Sequence, residues 1–455
     1  MQTVFLFINH HSHIADLLNT RYIEYLSGKY KVHVFVPDRP GAASLKERRY
    51  FKNSNIEYHA IELRHSLWWR RFKLLRVPTI RQFDSVTKMQ DEYKRKKHTD
   101  WRRSALRFFS FLAPWIFTTG FYTRLEGLII PDEAFFRDAV KSFSPVLVIT
   151  ATPGFTPFEA WAVLLSKKHN IPSCAVNFSW DNLTAHARAI RKTDYLVCWN
   201  EINKREAINI HGYSPDKVFV SGPVRFDHYF SRQSGELSRE EFLRSKGLDP
   251  EKKTILIATM SANNYAYHRE LIDTLVSYRL AGRTAPVNIF VRVHPIDSFL
   301  NYQDLTEKNI PDFHIERAGT LIKEDINIGQ KVQMNRDDFL NTKHTLMYTD
   351  IDINPFSTFS LESMVFDKPV INIGIKPEFR PALYYVHYKP ITESKAVKVA
   401  MSYEDLLNHI NHYLAHPEDG RAERKKIVSE YLAFTDGENY KRSVDFLERC
   451  IGSKI

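Results

Sequence analysis

The sequence predicts an α/β protein built from two doubly wound parallel sheets in tandem. Short apolar runs of strand character alternate with helical periodicity along most of the chain. A break at Gly222-Pro223 divides the alternation into two series. A length of 455 residues also suits two or three domains of roughly 100–200 residues each.

The first series opens on Val4-Phe5-Leu6-Phe7-Ile8, a buried strand whose five apolar residues, lacking a basic flank, are too few for a signal peptide. Ile14, Leu17, Leu18, Tyr22, Tyr25 and Leu26 follow at helical spacing with Gly28 as the expected stop, and Val32–Val36 is the next strand, ending at Pro37. Where a dinucleotide-binding turn would carry GxGxxG, the chain has His10-His11-Ser12-His13. Strands are predicted again at Val146–Ile149, Ser173–Val176, Tyr195–Cys198 and Val218–Val220, with helices at Phe158–His169 and Ile202–Ile210. The second series starts on a capped helix, with Ser238 at its N-cap, Glu241 three residues on and Gly247 beyond its end. Strands Thr254–Ala258 and Asn288–Val293 flank a helix at His268–Tyr278. Thr345–Tyr348 reads as a strand leading to a short helix from Ser357, and Val370–Ile373 as the strand after it. Tyr440, Val444, Leu447 and Ile451 form one stripe of a terminal helix. The expected domains are 1–228, with an insertion at about 64–127, then 229–435, with 436–455 packing back on the first.

With 43% apolar and 26% charged residues the chain is neither disordered nor collagen-like. Cys174, Cys198 and Cys450 stand far apart without a CxxC pair, which excludes a disulfide framework and fits a reducing compartment. The formal charge of +11 is local: between Arg64 and Arg107 there are 14 Lys or Arg against 4 Asp or Glu. This stretch holds Trp68-Trp69-Arg70-Arg71 and Lys94-Arg95-Lys96-Lys97, and the apolar run Phe108–Phe117 after it is too short to span a bilayer. Tryptophan beside Lys and Arg suits an anionic membrane surface over residues 64–117, or a solvated helical insertion with core aromatics. No recognised module accompanies the charge, so nucleic acid is not expected as a partner.

Arg292 and His294 sit two apart at the end of a strand closed by Pro295, so they share a face. They suit an anionic oxygen, or merely cap the strand. Ser357, Thr358 and Ser360 lie between a strand and a helix, in the position either of a phosphate site or of ordinary N-caps, with Glu362 one turn further. Asp350-Ile351-Asp352 matches a metal-binding DxD but reads as the end of a buried strand.

Arg292–Pro295, Asp350–Glu362 and Asp367-Lys368-Pro369-Val370-Ile371-Asn372 resemble the donor half of GT-B glycosyltransferases, in particular CDP-glycerol glycerophosphotransferases and bacterial surface-polysaccharide transferases of the CMP-sugar type. Asn177–Thr184, Trp199-Asn200-Glu201 and Ser221–Asp227 also resemble surface-carbohydrate enzymes of that group. The likeness covers about residues 145–375. It implies two Rossmann-like domains facing across a cleft. His294, Ser357 and Thr358 would then contact the nucleotide phosphate, Arg292 would neutralise it, and Glu362 would sit near the ribose. Ser261, Asn263 and Asn264, after a strand of the same domain, and Arg225, at the junction, would complete the donor side.

A transfer also needs a base for the acceptor hydroxyl, expected from the first domain. Asp181 beside Trp180 is one candidate, or else an Asx-turn cap; Glu159 is another, or else a first-turn helix charge; His11 and His13 are the others. No thiolate or carboxylate near the histidines completes a metal site. The expected activity is metal-independent, inverting transfer of a sugar or polyol phosphate from a nucleotide-activated donor to a surface-glycan acceptor, including one carried on a lipid. No cofactor is expected, and the expected location is the cytoplasmic face of the membrane. The rival readings are a non-hydrolysing UDP-N-acetylglucosamine 2-epimerase, whose His-Arg-Arg-Glu-Asn and Ser-Gly-Gly-x-Gln-Glu-Glu signatures are missing, and a non-catalytic glycan- or lipid-binding scaffold.

Overall fold

In a computed structural model the described residues are 1–9, 13–38, 50–62, 134–186, 191–260, 265–295, 299–321 and 332–452, with positions 121, 124, 125, 189 and 297. The expected insertion at 64–127 therefore falls almost wholly outside the described residues.

The first sheet has seven strands: β1 (Thr3–Phe7), β2 (Lys31–Asp38), β3 (Ile56–Glu62), β4 (Leu147–Thr150), β5 (Ser173–Val176), β6 (Tyr195–Cys198) and β7 (Val218–Val220). All neighbours are parallel, in the order β3-β2-β1-β4-β5-β6-β7. Strand β1 shows why its sequence is apolar throughout: Val4 and Leu6 pack on one side against Leu26 and Leu447, while Phe5 and Phe7 pack on the other against Phe35 and Phe136.

The second sheet follows the same plan: β8 (Lys253–Ala258), β9 (Val287–Val293), β10 (Phe313–Arg317), β13 (Ile351–Asn354), β14 (Val370–Ile373) and β15 (Val397–Ala400), all parallel, in the order β10-β9-β8-β13-β14-β15. A short antiparallel pair, β11 (Thr320–Leu321) and β12 (Val332–Gln333), stands apart. In each sheet strand order reverses beside one strand pair, β1/β4 in the first and β8/β13 in the second. Ligands of doubly wound sheets bind outside the strand ends at such points.

Three local expectations are corrected. Gly28 lies inside the helix Arg21–Lys29, which is separate from the preceding π-helical turn Ile14–Leu18; Thr20 caps it by accepting the Tyr22 N–H. Thr345–Tyr348 is the last turn of the helix Arg336–Tyr348, whose start is fixed by the Asn335/Asp338 capping box, so Asp350-Ile351-Asp352 leads into strand β13 rather than ending one. Strand β2 runs through Pro37, which lies past the last β1 partner, Phe35. The terminal helix Asn439–Gly452 buries Tyr440, Val444, Leu447 and Cys450 in the first domain's core. Asp227 holds the start of that helix, accepting the N–H groups of Asn439 (3.1 Å) and Tyr440 (2.8 Å). Gly222, at φ +84°, leaves room for it, since any side chain there would run into Asn439.

Candidate active site between the domains

The two strand-order reversals face one cavity of ≈ 270 Å³. Thr259, following β8, and Val293, His294 and Pro295, at the end of β9, form one wall. Ser357, Thr358 and Phe359, after β13, form a second, and Asp16, from the first domain, faces them with Arg225 and Tyr229 of the linker. His294 and Ser357, some sixty positions apart in sequence, thus share a hollow.

The turn between β13 and the helix Phe359–Val365 is held by Asn354. Its Oδ1 accepts the Ser357 N–H at 3.0 Å and the Ser357 hydroxyl at 3.3 Å. Phe356 sits at φ +57°, a left-handed conformation that a bulky residue keeps only when its surroundings fix it. Here the ring packs edge-on to Tyr388 at 5.4 Å. Thr358 Oγ1 accepts the indole N–H of Trp180 at 3.1 Å, which ties the first domain to this turn and leaves the threonine proton to donate elsewhere. On the opposite wall the His294 N–H is given to Thr259 Oγ1 at 2.9 Å. Burial pulls the His294 imidazole down to about 4, so at neutral pH it is uncharged and carries one ring proton.

Charges gather where the domains meet. Arg225 Nη2 lies 3.2 Å from Glu362 Oε1, and its Nε 3.8 Å from Asp16 Oδ1. Tyr229 donates its hydroxyl to Glu362 Oε2 at 2.5 Å. Asp16 is 4% exposed and among the described residues its Oδ2 has no hydrogen-bond partner. Burial pushes its carboxyl up to about 7, opposed by the Arg225 guanidinium and reinforced by the Glu362 charge. Asp16 belongs to the π-helical turn after β1, a distortion frequent at functional sites. The sequence reading passed over it, because it stands as one more polar residue within an amphipathic pattern. Its place just past the first strand, at a strand-order reversal, was the signal available.

The remaining expected site residues are distributed as follows. Arg292 lines the cavity, but its guanidinium is bound to Glu316 (2.6 Å) and Thr342 (2.5 Å), so its charge is already matched. Glu362 lines the cavity too, committed to Arg225 and Tyr229 rather than projecting as a lone ribose acceptor. Ser360 is a correction: it is fully buried behind the turn, donating to Asn354 and accepting from Asn372 and Tyr388, and does not line the cavity. Asp181 does not line it either; its carboxylate accepts the Ser179 hydroxyl at 2.5 Å, and its charge adds to the burial that raises the carboxyl of Glu206. Glu159 and His13 lie behind the first-domain strand ends, 3.8 Å apart. Glu159 accepts the hydroxyls of Thr152 (2.5 Å) and Thr156 (2.7 Å), and burial raises its carboxyl to about 7. Glu159 is kept from the cavity by the apolar packing of the helix Pro157–Lys168, which takes its first turn inward. His11, Ser261, Asn263 and Asn264 lie outside the described residues.

Residues 148–449 match the family of CDP-Glycerol:Poly(glycerophosphate) glycerophosphotransferases. The chain belongs to that family. It is a nucleotide-dependent transferase of the GT-B type, as its motifs and paired doubly wound sheets imply. No curated protein matches it in sequence. Among solved structures it is similar to the wall teichoic acid polymerase TagF, with a TM-score of 0.52 at 11% identity, covering 99% of this chain and 89% of that one. A form of TagF soaked with CDPG gives 0.51 at 10% identity, covering 100% and 90%. UDP-GlcNAc 2-epimerase from Neisseria meningitidis bound to UDP-GlcNAc gives 0.52 at 12% identity, covering 99% and 100%. Identities this low establish a shared fold and say nothing of substrate. Among the described residues no helix is long and apolar enough to cross a membrane.

Proposed function

We propose that this protein transfers a polyol phosphate, or a related sugar unit, from a CDP-linked donor to a hydroxyl of a growing surface glycan. The observation that carries the reading is the convergence of His294, Ser357 and Thr358 on one interdomain cavity with Asp16 across it. The family supports the donor class: a nucleoside diphosphate joined to a polyol.

A diphosphate in this cavity meets the ring proton of His294 and the Ser357 and Thr358 hydroxyls. Neutral donors of this kind take up charge developing on a leaving nucleotide without requiring a buried cation. Asp16, held near the pH at which proton transfer is efficient, takes the acceptor proton. For a polyol phosphate the acceptor oxygen bonds to the distal phosphorus while that phosphorus loses its bond to the bridging oxygen. CMP leaves with that oxygen, and the proton resides on Asp16. This part of the reaction involves no metal.

The acceptor is proposed to be lipid-linked and presented at the inner face of an anionic membrane, where residues 64–117 bind. The support is the 14-to-4 charge excess between Arg64 and Arg107 and its neighbouring tryptophans. Deletion of Lys94–Lys97 should weaken binding to anionic vesicles in a salt-dependent way, and unchanged sedimentation removes the membrane claim. For the reaction itself, purified protein is incubated with CDP-glycerol or UDP-N-acetylglucosamine, with and without a glycerophosphate-primed acceptor. CMP release that requires the acceptor supports the assignment. Conversion of UDP-N-acetylglucosamine without acceptor selects the epimerase, and inertness toward both selects the scaffold.

A further inference from the structure

The outer edge of the first sheet carries a second cluster, independent of the interdomain cavity. His33 is on β2, and Glu57 and His59 are on the edge strand β3, which among the described residues pairs only with β2. The parallel register sets His33 beside Glu57 and Phe35 beside His59, so all three side chains leave the sheet on one face. Nδ1 of His33 lies 2.9 Å from Nε2 of His59. The Glu57 carboxylate lies 3.7 Å from each of these nitrogens. Those are two different oxygens, Oε2 toward His33 and Oε1 toward His59, and one ligand atom from each residue lies within 4.8 Å of the other two, so side-chain rotation is what brings all three to the roughly 2 Å that zinc makes to imidazole and carboxylate.

The cluster is also held in its orientation. The His33 ring is fully buried, with Phe143 at 3.9 Å and His59 stacked at 5.1 Å, 13° from parallel. Among the described residues its Nε2 has no hydrogen-bond partner, whereas Nδ1 shares a hydrogen bond with His59 Nε2, and that shared proton is what a zinc ion would replace. Glu57 is exposed, so the fourth position opens to water. Two imidazoles with one carboxylate suit zinc and disfavour magnesium and calcium, which take oxygen ligands.

We propose that His33, Glu57 and His59 bind a zinc ion that fastens the edge strand β3 to β2. The cluster lies in the first half of these strands, whereas the cavity lies beyond the carboxyl ends of the sheet, so the ion is structural and takes no part in transfer. The test uses the full-length chain without an affinity tag, stripped by dialysis against chelator. Equilibrium dialysis against zinc should show one equivalent more in the wild type than in Glu57→Gln or His59→Ala. Cobalt(II) should give the visible absorption of a four-coordinate site only in the wild type, and added zinc should raise the melting temperature of the wild type alone. Glu57 is on the surface, so Glu57→Gln keeps the test valid if His59→Ala fails to fold. Equal zinc stoichiometry in wild type and Glu57→Gln, or no zinc bound by the wild type, overturns the proposal. These readouts do not involve transfer, so they stand whichever way the donor assay falls.

Discussion

Asp16 gives the sharpest prediction, because its neighbours pull its protonation in opposite directions. The carboxyl is 4% exposed, with Arg225 Nε 3.8 Å away, and burial outweighs that attraction to leave it titrating at about 7. If it deprotonates the acceptor, kcat/KM in the free enzyme should rise with pH to a plateau, with its acid limb near 7. Asp16→Asn should lower kcat by roughly 10²–10⁴-fold, the usual contribution of a positioned base, and erase the limb. Arg225→Gln removes the stabilising cation, so the limb should move up. The shift belongs at the lower end of the roughly 1–3 pH units that a close charge produces, because the Arg225 side chain is 30% exposed and partly screened by solvent. Glu362→Gln removes a like charge, so the limb should move down. Opposite shifts from two substitutions that both break the same Arg225–Glu362 pair are hard to produce by mere loosening of the interface. The assay is CMP release from CDP-glycerol at subsaturating donor and acceptor across pH 5.5–9. An acid limb that persists unmoved in Asp16→Asn refutes the assignment.

Three further outcomes are expected. His294→Ala should reduce donor affinity and turnover together, by roughly 10–100-fold in kcat/KM, the value of about 1.5–3 kcal/mol for a hydrogen bond to a charged group; wild-type kinetics in that variant would remove His294 from the site. Ser360→Ala should cost about 1–3 kcal/mol in urea unfolding, since it strands the partners Asn354, Asn372 and Tyr388, while the donor KM stays unchanged; a raised donor KM with normal stability would return Ser360 to the donor site. Glu159→Gln should alter the pH dependence of stability: the native carboxyl keeps its proton up to about 7 whereas the unfolded chain releases it near 4.5, so the native state binds more protons between those values and wild-type stability declines as pH rises through that window. That loss, on the order of 3 kcal/mol, should be absent in Glu159→Gln, and parallel curves for the two proteins would count against a buried, protonated Glu159.

Much of the architecture was legible because both sheets are covered on two faces. Strands β5, β6, β7 and β14 are short uninterrupted apolar runs bounded by turns, and the predicted ends coincide with the observed ones. Strand β3 was missed because, at the sheet edge, it is Ile56-Glu57-Tyr58-His59-Ala60-Ile61-Glu62, polar enough to read as loop. Thr345–Tyr348 misled for the opposite reason: its residues favour strands locally, but a helix already capped at Asn335 carries through them. In the site, the shared cavity of His294, Ser357 and Thr358 was visible because a strand end fixes where His294 stands and a strand-to-helix turn fixes where Ser357 and Thr358 stand. Ser360 was misassigned because two residues along a helix reverse the face, turning its hydroxyl from the cavity to Asn372 and Tyr388. Asp16, the proposed base, was not legible, since local sequence gives the position of a carboxylate along the chain but not its burial or its distant neighbours.

Those neighbours also suggest why Asp16 is better placed for this chemistry than the carboxylates that read more plainly. Glu159 is buried and raised to about 7 like Asp16, but its two hydroxyl donors and His13 enclose it away from the cavity. Asp16 has a similar proton affinity and, unlike Glu159, itself lines the cavity. Its proton affinity is also set across the domain boundary: Arg225 comes from the linker and Glu362 from the donor domain, and the two are paired with each other. In the proposed role, the strength of Asp16 as a base is set first by burial at the domain boundary and then by the Glu362 charge acting against Arg225, so it depends on residues of both domains, which the Trp180–Thr358 hydrogen bond also joins.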